Sequence, residues 1–248
     1  MIESERDAGI HTIRLAHGKA NALDVELLEA LQRELERTAG ADAVVITATG
    51  SIFSAGVDLF RLTTEGEPYV RRFFPLLCSF VHDLFALPRP VVVAANGHAI
   101  AGGAIMVMAA DYRLMADGNG RIGVPELLVG VPFPAAPLEV VRFAVPPHRL
   151  QSFIYTGETL RPRDALALGI VDEVVDPPGL EARARDIAER LAALPPANFR
   201  LTKQALRADT LERIRRDSER WDAEALETWT APETHRRITE YLERVVRR

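Results

Sequence analysis

The chain has 248 residues, enough for one large domain or two small ones with a substantial core. Its 30 basic and 35 acidic side chains are interleaved and give a formal net charge of −5. This balance argues against nucleic acid as a main partner, because no basic stripe is present to pair with phosphates. A single cysteine, Cys78, excludes an internal disulfide and a cysteine metal cluster.

The sequence carries no sign of export or membrane insertion. Charged residues at positions 3, 5, 6 and 7 precede any apolar run, unlike the start of a signal peptide. The longest apolar stretch, residues 99–110, is too short to span a bilayer. We therefore expect a cytoplasmic protein whose partners include neither a membrane nor nucleic acid.

The first 176 residues alternate strand and helix patterns. Residues 9–16 alternate apolar and polar side chains like a half-buried strand, whereas 43–48 and 90–95 are continuous apolar runs typical of strands covered on both faces. Helices are predicted from Asp24 to about Thr38 and from about Pro68 to Ala86. Further strands are predicted at 111–115 and 170–175. This succession indicates an α/β fold with parallel pairing through crossover helices.

Beyond Asp176 the pattern becomes helical, at about 179–194, 197–208, 210–229 and 232–246. Alternating Arg and Glu residues in these segments are typical of solvated helix faces. Trp221, Ala225 and Trp229 share one predicted helix face, which favours a role in core or subunit packing. We expect residues 1–176 to form the core and residues 177–248 to form a C-terminal helical region.

Three distinctive segments follow predicted strands, where α/β proteins place functional sites. They are residues 50–59 (GSIFSAGVDL), 96–105 (NGHAIAGGAI) and 123–130 (GVPELLVG). None matches the glycine motifs of dinucleotide or phosphate-binding loops, and no serine lies in a nucleophile elbow. The six histidines show no metal-binding spacing, so we expect no metal, and His98 is interpreted as a structural hydrogen-bonding residue.

Gly102 and Gly103 open a predicted helix and have two interpretations. Glycines permit close packing of a helix start against a strand. They also let a ligand approach the first amides of the helix, which have no internal partner and carry the positive end of the dipole. One such segment is a weak signal. Two of them followed by a carboxylate, Glu126, indicate a site for developing negative charge.

In this order and spacing, FSAGVDL (53–59), NGHAIAGGAIMVMAADYR (96–113) and IGVPELLVGVPFP (122–134) resemble the crotonase superfamily of enoyl-CoA hydratases and isomerases. GKANALD (18–24) and residues 153–175 extend the resemblance over nearly the whole chain. It implies a crotonase-like spiral of ββα units with a C-terminal helical trimerisation region, hence a homotrimer or a dimer of trimers. It also implies an acyl-CoA thioester as substrate, a place in fatty acid metabolism, and no cofactor beyond the coenzyme A moiety.

The resemblance assigns roles residue by residue. The backbone N–H groups of Val57 and Gly102 form an oxyanion hole, and Glu126 is the acid–base residue. The substrate-binding residues that it implies are Lys19, Ala20, Ser54, Ala55, Gly56, Asp58, Gly103 and Ile105. Lys19 and Lys203 are candidate partners of the coenzyme A phosphates, and for both the alternative is an ordinary surface lysine.

Hydratases that the chain resembles carry a second glutamate after the second glycine motif, where this sequence has Ile105. One carboxylate is suited to moving a proton rather than to activating a water. The sequence therefore favours isomerisation of 3-enoyl-CoA to 2-enoyl-CoA. Leu127, Leu128 and Val131 are expected to desolvate Glu126 and raise its pKa.

Two alternatives remain open at this point. The first is a hydratase, which is a lyase, or a related crotonase that recruits another acid such as Glu139. The second belongs to a different class, a non-catalytic acyl-CoA-binding protein. Glu126 itself has a plain alternative as an exposed carboxylate favoured by the dipole at a helix start.

Overall fold

The computed structural model describes residues 1–246. The strands are β1 (Ile2–Asp7), β2 (Ile10–Leu15), β3 (Ala43–Ala48), β4 (Ile52–Ser54), β5 (Val91–Ala95), β6 (His98–Ile100), β7 (Tyr112–Ala116), β8 (Ile122–Gly123), β9 (Thr159–Leu160) and β10 (Glu173–Val175). The helices are α1 (Val25–Arg37), α2 (Leu59–Ala86), α3 (Gly102–Ala109), α4 (Glu126–Val129), α5 (Ala135–Ala144), α6 (Pro147–Thr156), α7 (Pro162–Leu168), α8 (Leu180–Ala192), α9 (Pro196–Thr230) and α10 (Pro232–Val246).

Two sheets and a repeated ββα unit organise the fold. The larger sheet has the order β1-β2-β3-β5-β7-β10 and is parallel except for β1, while the smaller has the order β4-β6-β8-β9 and is parallel except for β9. The units β3–β4–α2, β5–β6–α3 and β7–β8–α4 each add one strand to each sheet before a helix begins. The three glycine or carboxylate segments therefore lie side by side, because each leads from a neighbouring strand of the small sheet into a helix.

The sequence predicted most of the buried elements and misjudged others. Strand β3 and helix α1 have the predicted bounds, and the Asp24 side chain caps α1 by accepting a hydrogen bond from the Leu27 amide at 2.7 Å. Helix α2 begins nine residues earlier than predicted, at Leu59, because the chain stays helical on both sides of a kink at Gly66. Strand β1 was not predicted, since its outer residues are charged and exposed.

The C-terminal helices do not stand apart from the sheets. Helix α8 packs its apolar face onto the large sheet, and Leu180, Ala184 and Ile187 lie in the same buried cluster as Val45 and Val92. The boundary between residues 176 and 177 and the trimeric assembly stay predictions. No helix within residues 1–246 is both long and apolar enough to cross a membrane.

Helix α9 differs from the prediction of two helices over 197–208 and 210–229. It is continuous, because no glycine or proline interrupts residues 197–230. Trp229 and Ala225 are buried against the core, whereas Trp221 is 48% exposed. Eight residues advance a helix by about 80° beyond whole turns, which carries Trp221 off the buried face.

A buried ionic cluster joins α9 to the sheet. The Asp111 carboxylate accepts hydrogen bonds from the Val91 amide (2.8 Å), the Lys203 ammonium (2.6 Å) and the Arg207 guanidinium (2.8 Å). Lys203 is only 6% exposed, and this burial lowers its pKa to about 8 despite the nearby carboxylate. The hypothesis that Lys203 binds a phosphate of coenzyme A is therefore wrong, because its ammonium is already enclosed and paired.

Substituting Asp111 should destabilise the protein strongly. In Asp111→Asn two cations stay buried without a counter-charge, and removing one partner of a buried ion pair costs about 3–5 kcal/mol. Urea denaturation measures the free energy of unfolding directly. Asp186→Asn is the matched control, because Asp186 pairs with Arg183 at the surface, and its variant should unfold like the wild type. Equal stabilities for the two variants would contradict the structural role of the cluster.

Candidate active site

The turn after β4 touches the start of α3 at Gly56. The φ angle of Gly56 is +81°, and a Cβ there would lie 2.6 Å from the Ile100 carbonyl oxygen and 2.7 Å from the Ala101 Cβ. The same position is 3.1 Å from the Gly102 nitrogen. Only glycine allows this approach, which places the next amide in the chain, that of Val57, beside the amide of Gly102.

The backbone hydrogen bonds around the site leave the N–H groups of both Val57 and Gly102 without a partner. Leu23 pairs with Val57 in a parallel β-bridge. In this bridge the Leu23 N–H donates to the Gly56 carbonyl (2.7 Å), and the Asp58 N–H donates to the Leu23 carbonyl (2.9 Å). That pattern leaves the Val57 N–H on the opposite side. Gly102 is the first residue of α3, where helix amides lack acceptors. Among the described residues, neither N–H finds an acceptor, so the pair can receive a negatively charged oxygen.

Ala101 turns the chain into α3 in an unusual conformation. Its φ angle is +52°, which a residue with a Cβ rarely adopts. The Ala101 N–H donates to the Gly123 carbonyl at 2.8 Å, and its carbonyl accepts from the Ile105 N–H at 3.0 Å. Such strain persists only where neighbouring contacts hold it, and it clusters at functional sites. It presents the Gly102 amide at the positive end of the α3 dipole.

Glu126 is the first residue of α4, directly after β8. Its side chain is buried, and within residues 1–246 its Oε2 atom has no hydrogen-bond partner. Burial raises the pKa of Glu126 to about 8, although a hydrogen bond from its own amide acts in the opposite direction. The interpretation of Glu126 as an exposed helix-start carboxylate is therefore wrong.

The groups that desolvate Glu126 differ from the predicted ones. Leu127 and Leu128 point outward and are 42% and 50% exposed, so only Val131 of the predicted trio is buried. Glu126 instead faces an apolar pocket. Its lining consists of Ala55, Val57, Leu59, Leu77, Ile100, Ala101, Gly102, Ile105, Pro125, Glu126, Val129, Val131, Phe133, Pro134, Pro137, Trp229 and Tyr241.

The pocket brings together the residues proposed for chemistry. Val57, Gly102 and Glu126 all line it, and Ile105 stands among them as a buried aliphatic side chain. Glu126 is the one carboxylate among these lining residues. The arrangement places a single poorly solvated carboxyl group in the same cavity as two unpaired amide donors.

Three residues proposed to bind substrate have structural duties instead. The Ser54 hydroxyl is buried, donates to the Asn21 carbonyl (2.8 Å) and accepts from the Gly56 amide (3.1 Å). Asp58 caps α2 by accepting from the Arg61 amide at 3.0 Å. Gly103 packs on Ser54, where a Cβ would lie 2.5 Å from its carbonyl oxygen. These residues build the turn rather than the pocket wall.

The remaining predicted positions lie at the edge of the site. Ala55 lines the pocket, and its amide donates to the Ala20 carbonyl at 2.9 Å, so the two chain segments run together. Lys19 is exposed next to Ala20. No cluster of three or more metal-ligating side chains occurs among the described residues.

The sequence suggested that Glu139 could serve as a second acid, but its side chain does not reach the pocket. Its carboxylate is 1% exposed and pairs with Arg213 (2.6 Å) and Arg142 (2.8 Å), which ties α5 to α9. It is absent from the residues that line the pocket. Because Glu139 is paired with two guanidinium groups and lies outside the pocket lining, the idea of Glu139 as a reserve acid is wrong.

Among the pocket residues that sequence reasoning missed, two come from the C-terminal helices. Trp229 at the end of α9 and Tyr241 on α10 line the same cavity as Glu126, although each is more than a hundred residues away in sequence. Burial raises the pKa of the Tyr241 phenol, and the charge of Glu126 adds to the effect. The buried tryptophan was a signal for packing, but nothing in the sequence indicated what it packs against.

The stability of the protein should fall with pH because of Glu126. Between pH 4.5 and about 8 the unfolded chain releases this proton while the folded chain keeps it, so the stabilisation present at low pH is lost. Relative to Glu126→Gln, the wild-type free energy of unfolding should drop by roughly 3–5 kcal/mol from pH 5 to pH 9. Urea denaturation at both pH values tests this. Glu189→Gln, at an exposed ion pair, should follow the wild type.

Comparisons with known proteins identify the family of this chain. Residues 5–246 match the family profile described as enoyl-CoA hydratase/isomerase. A protein of Thermus thermophilus described as a candidate enoyl-CoA hydratase is 37% identical over 188 residues, covering 74% of this chain and 73% of its own. The mouse mitochondrial enoyl-CoA delta isomerase 1 is 27% identical over 219 residues, covering 86% of this chain and 76% of its own.

A solved structure extends the likeness to the C-terminal helices. The human mitochondrial delta3-delta2-enoyl-CoA isomerase superposes with a TM-score of 0.92 over 99% of this chain and 98% of its own. At 24% identity this match concerns the fold alone. The ββα units and the helical region of this chain form the same crotonase fold. The family match over nearly the whole sequence shows that this chain belongs to the enoyl-CoA hydratase/isomerase family.

Proposed function

We propose that this protein is a Δ3-to-Δ2 enoyl-CoA isomerase that uses Glu126 as its proton carrier. The observation that carries the proposal is the composition of the pocket. It combines one buried carboxyl group with two unpaired amides and has no second carboxylate among its described lining. The isomerase name of the mouse relative supports the same reaction.

The proposed reaction moves one proton. The Glu126 carboxylate removes a proton from C2, and the electrons of that C–H bond form an enolate. The enolate oxygen accepts hydrogen bonds from the Val57 and Gly102 amides, each worth about 2.7–4 kcal/mol in comparable sites. The protonated Glu126 then delivers its proton to C4 as the double bond shifts to C2–C3. Lys19, Ala20 and Ala55 line the side proposed for coenzyme A.

The environment of Glu126 suits this exchange. A pKa near 8 allows the side chain to take and return a proton at neutral pH with little bias. Hydration would require a second polar group to hold a water, and the buried Ile105 offers none. The apolar lining therefore favours proton transfer without water.

Hydration of 2-enoyl-CoA is the second candidate reaction, because a relative is described as a hydratase. It would require another acid, and Glu139 is occupied by two arginines. A non-catalytic acyl-CoA-binding protein is the third candidate, although a buried carboxyl group with a shifted pKa would then cost stability without a use. Exchange of acyl-CoA α-protons for solvent deuterium separates an enzyme from a pure binder.

Replacing Glu126 by Gln should abolish turnover without weakening binding. The variant keeps the amide pair and the pocket shape, so acyl-CoA affinity should stay within about threefold while kcat falls by at least about a thousandfold. Spectrophotometric assays of 3-enoyl-CoA isomerisation and 2-enoyl-CoA hydration, with calorimetry, measure both quantities. Glu189→Gln serves as the control with full activity. Rapid hydration by the wild type, or isomerase activity that survives Glu126→Gln, would refute the one-carboxylate mechanism.

The pH dependence of kcat/KM should follow the ionisation of Glu126, the proposed base. Since Glu126 must be ionised to remove the C2 proton, kcat/KM should rise with pH and level off above about 8. A profile already flat at pH 6 would show that the burial of Glu126 does not control the reaction. The measurement requires 3-enoyl-CoA assays between pH 5.5 and 9.5 under conditions where the protein stays folded.

A further inference from the structure

Trp229 is a firmly held side chain of the pocket wall. It lies in the last turn of α9, is 3% exposed, and lines the cavity that contains Glu126. Its indole N–H donates to the Pro132 carbonyl at 2.9 Å. Its ring stacks near Phe73, with centroids 6.4 Å apart, and meets the edge of Phe74 at 5.5 Å.

These contacts leave Trp229 little freedom to move aside for a ligand. Rotating the indole would break a buried hydrogen bond and two aromatic contacts, all of which stabilise its position. Phe73 and Phe74 are themselves buried in α2, so the wall behind the indole is also filled. A long acyl chain therefore meets a fixed surface rather than a flexible one.

The free space in front of that surface is small. The pocket has a free volume of about 80 Å³. This is less than the roughly 150 Å³ of an apolar cavity that holds benzene. The surrounding side chains are apolar except for Glu126 and Tyr241, and the indole nitrogen is already bonded. The cavity thus suits a short hydrocarbon chain.

We propose that Trp229 closes the acyl pocket and restricts the enzyme to short acyl groups. The proposal rests on the acyl-CoA binding proposed above and adds the class of substrate. Trp229 is a specificity-determining residue in this account and takes no part in proton transfer. Its neighbour on the same helix, Trp221, is exposed and lies outside the pocket lining, which provides an internal comparison.

The chain has two tryptophans, so each can be made the sole fluorescent reporter by one substitution. Trp221→Phe leaves Trp229, and its emission should change on saturation with hexanoyl-CoA but not with coenzyme A alone. Trp229→Phe leaves Trp221, and its emission should stay constant. Unchanged Trp229 emission at saturating hexanoyl-CoA would overturn the proposal. Because Trp221 is at the surface, the fluorescence experiment with Trp221→Phe requires no substitution in the core.

A chain-length series tests specificity independently of catalysis. Calorimetry with saturated acyl-CoA of four to twelve carbons should give the highest wild-type affinities for the shorter chains, with a fall of about tenfold between six and twelve carbons. In Trp229→Leu the ratio of dodecanoyl-CoA to hexanoyl-CoA dissociation constants should drop at least tenfold. Trp221→Leu is the control and should keep the wild-type ratio.

The outcomes separate this proposal from the proposed reaction. Equal wild-type affinities for six and twelve carbons would overturn the role of Trp229 and leave the isomerase mechanism intact. Length-dependent binding without any isomerase activity would support Trp229 while the proposed reaction fails. Absence of binding to every acyl-CoA would overturn both. If Trp229→Leu does not fold, the wild-type series and the fluorescence of Trp221→Phe still decide the question.

Discussion

The contact between the turn at Gly56 and the start of α3 is the constraint on which the site depends. A side chain at Gly56 would collide with the Ile100 carbonyl and with the Ala101 Cβ, so only a glycine lets the two segments come this close. The amides of Val57 and Gly102 are left unpaired next to one another as a result. Ser54 and Asp58 serve this contact, since one braces the turn and the other caps the helix that follows.

The second constraint is electrostatic. Glu126 is enclosed without a partner for its Oε2 atom among the described residues, and an unpaired buried carboxylate is costly. The group therefore keeps its proton to higher pH, and its two protonation states become close in free energy near neutrality. By contrast, the equally buried Glu139 is compensated by two arginines and serves packing. Partners, rather than burial, distinguish these two glutamates.

The C-terminal helices complete the site from a distance in sequence. The cluster of Asp111, Lys203 and Arg207 fixes the first half of α9 to the end of the parallel sheet. The far end of that helix then delivers Trp229 to the pocket, and α10 delivers Tyr241. Helices expected to serve assembly therefore also form the wall of the acyl cavity, which links the proposed substrate range to the packing of α9.

Local patterns in the sequence determined five of the six strands of the large sheet, the cap of α1, the two glycine turns and the carboxylate after the third strand pair. Each depends on neighbouring residues, through apolar periodicity, capping or the freedom of glycine. The sequence could not show that Leu127 and Leu128 face solvent, that Lys203 and Glu139 are enclosed by opposite charges, or that Trp229 and Tyr241 line the pocket. Those properties depend on which distant elements pack together. Only the tertiary structure decides them, because burial and ion pairing join residues far apart in the chain.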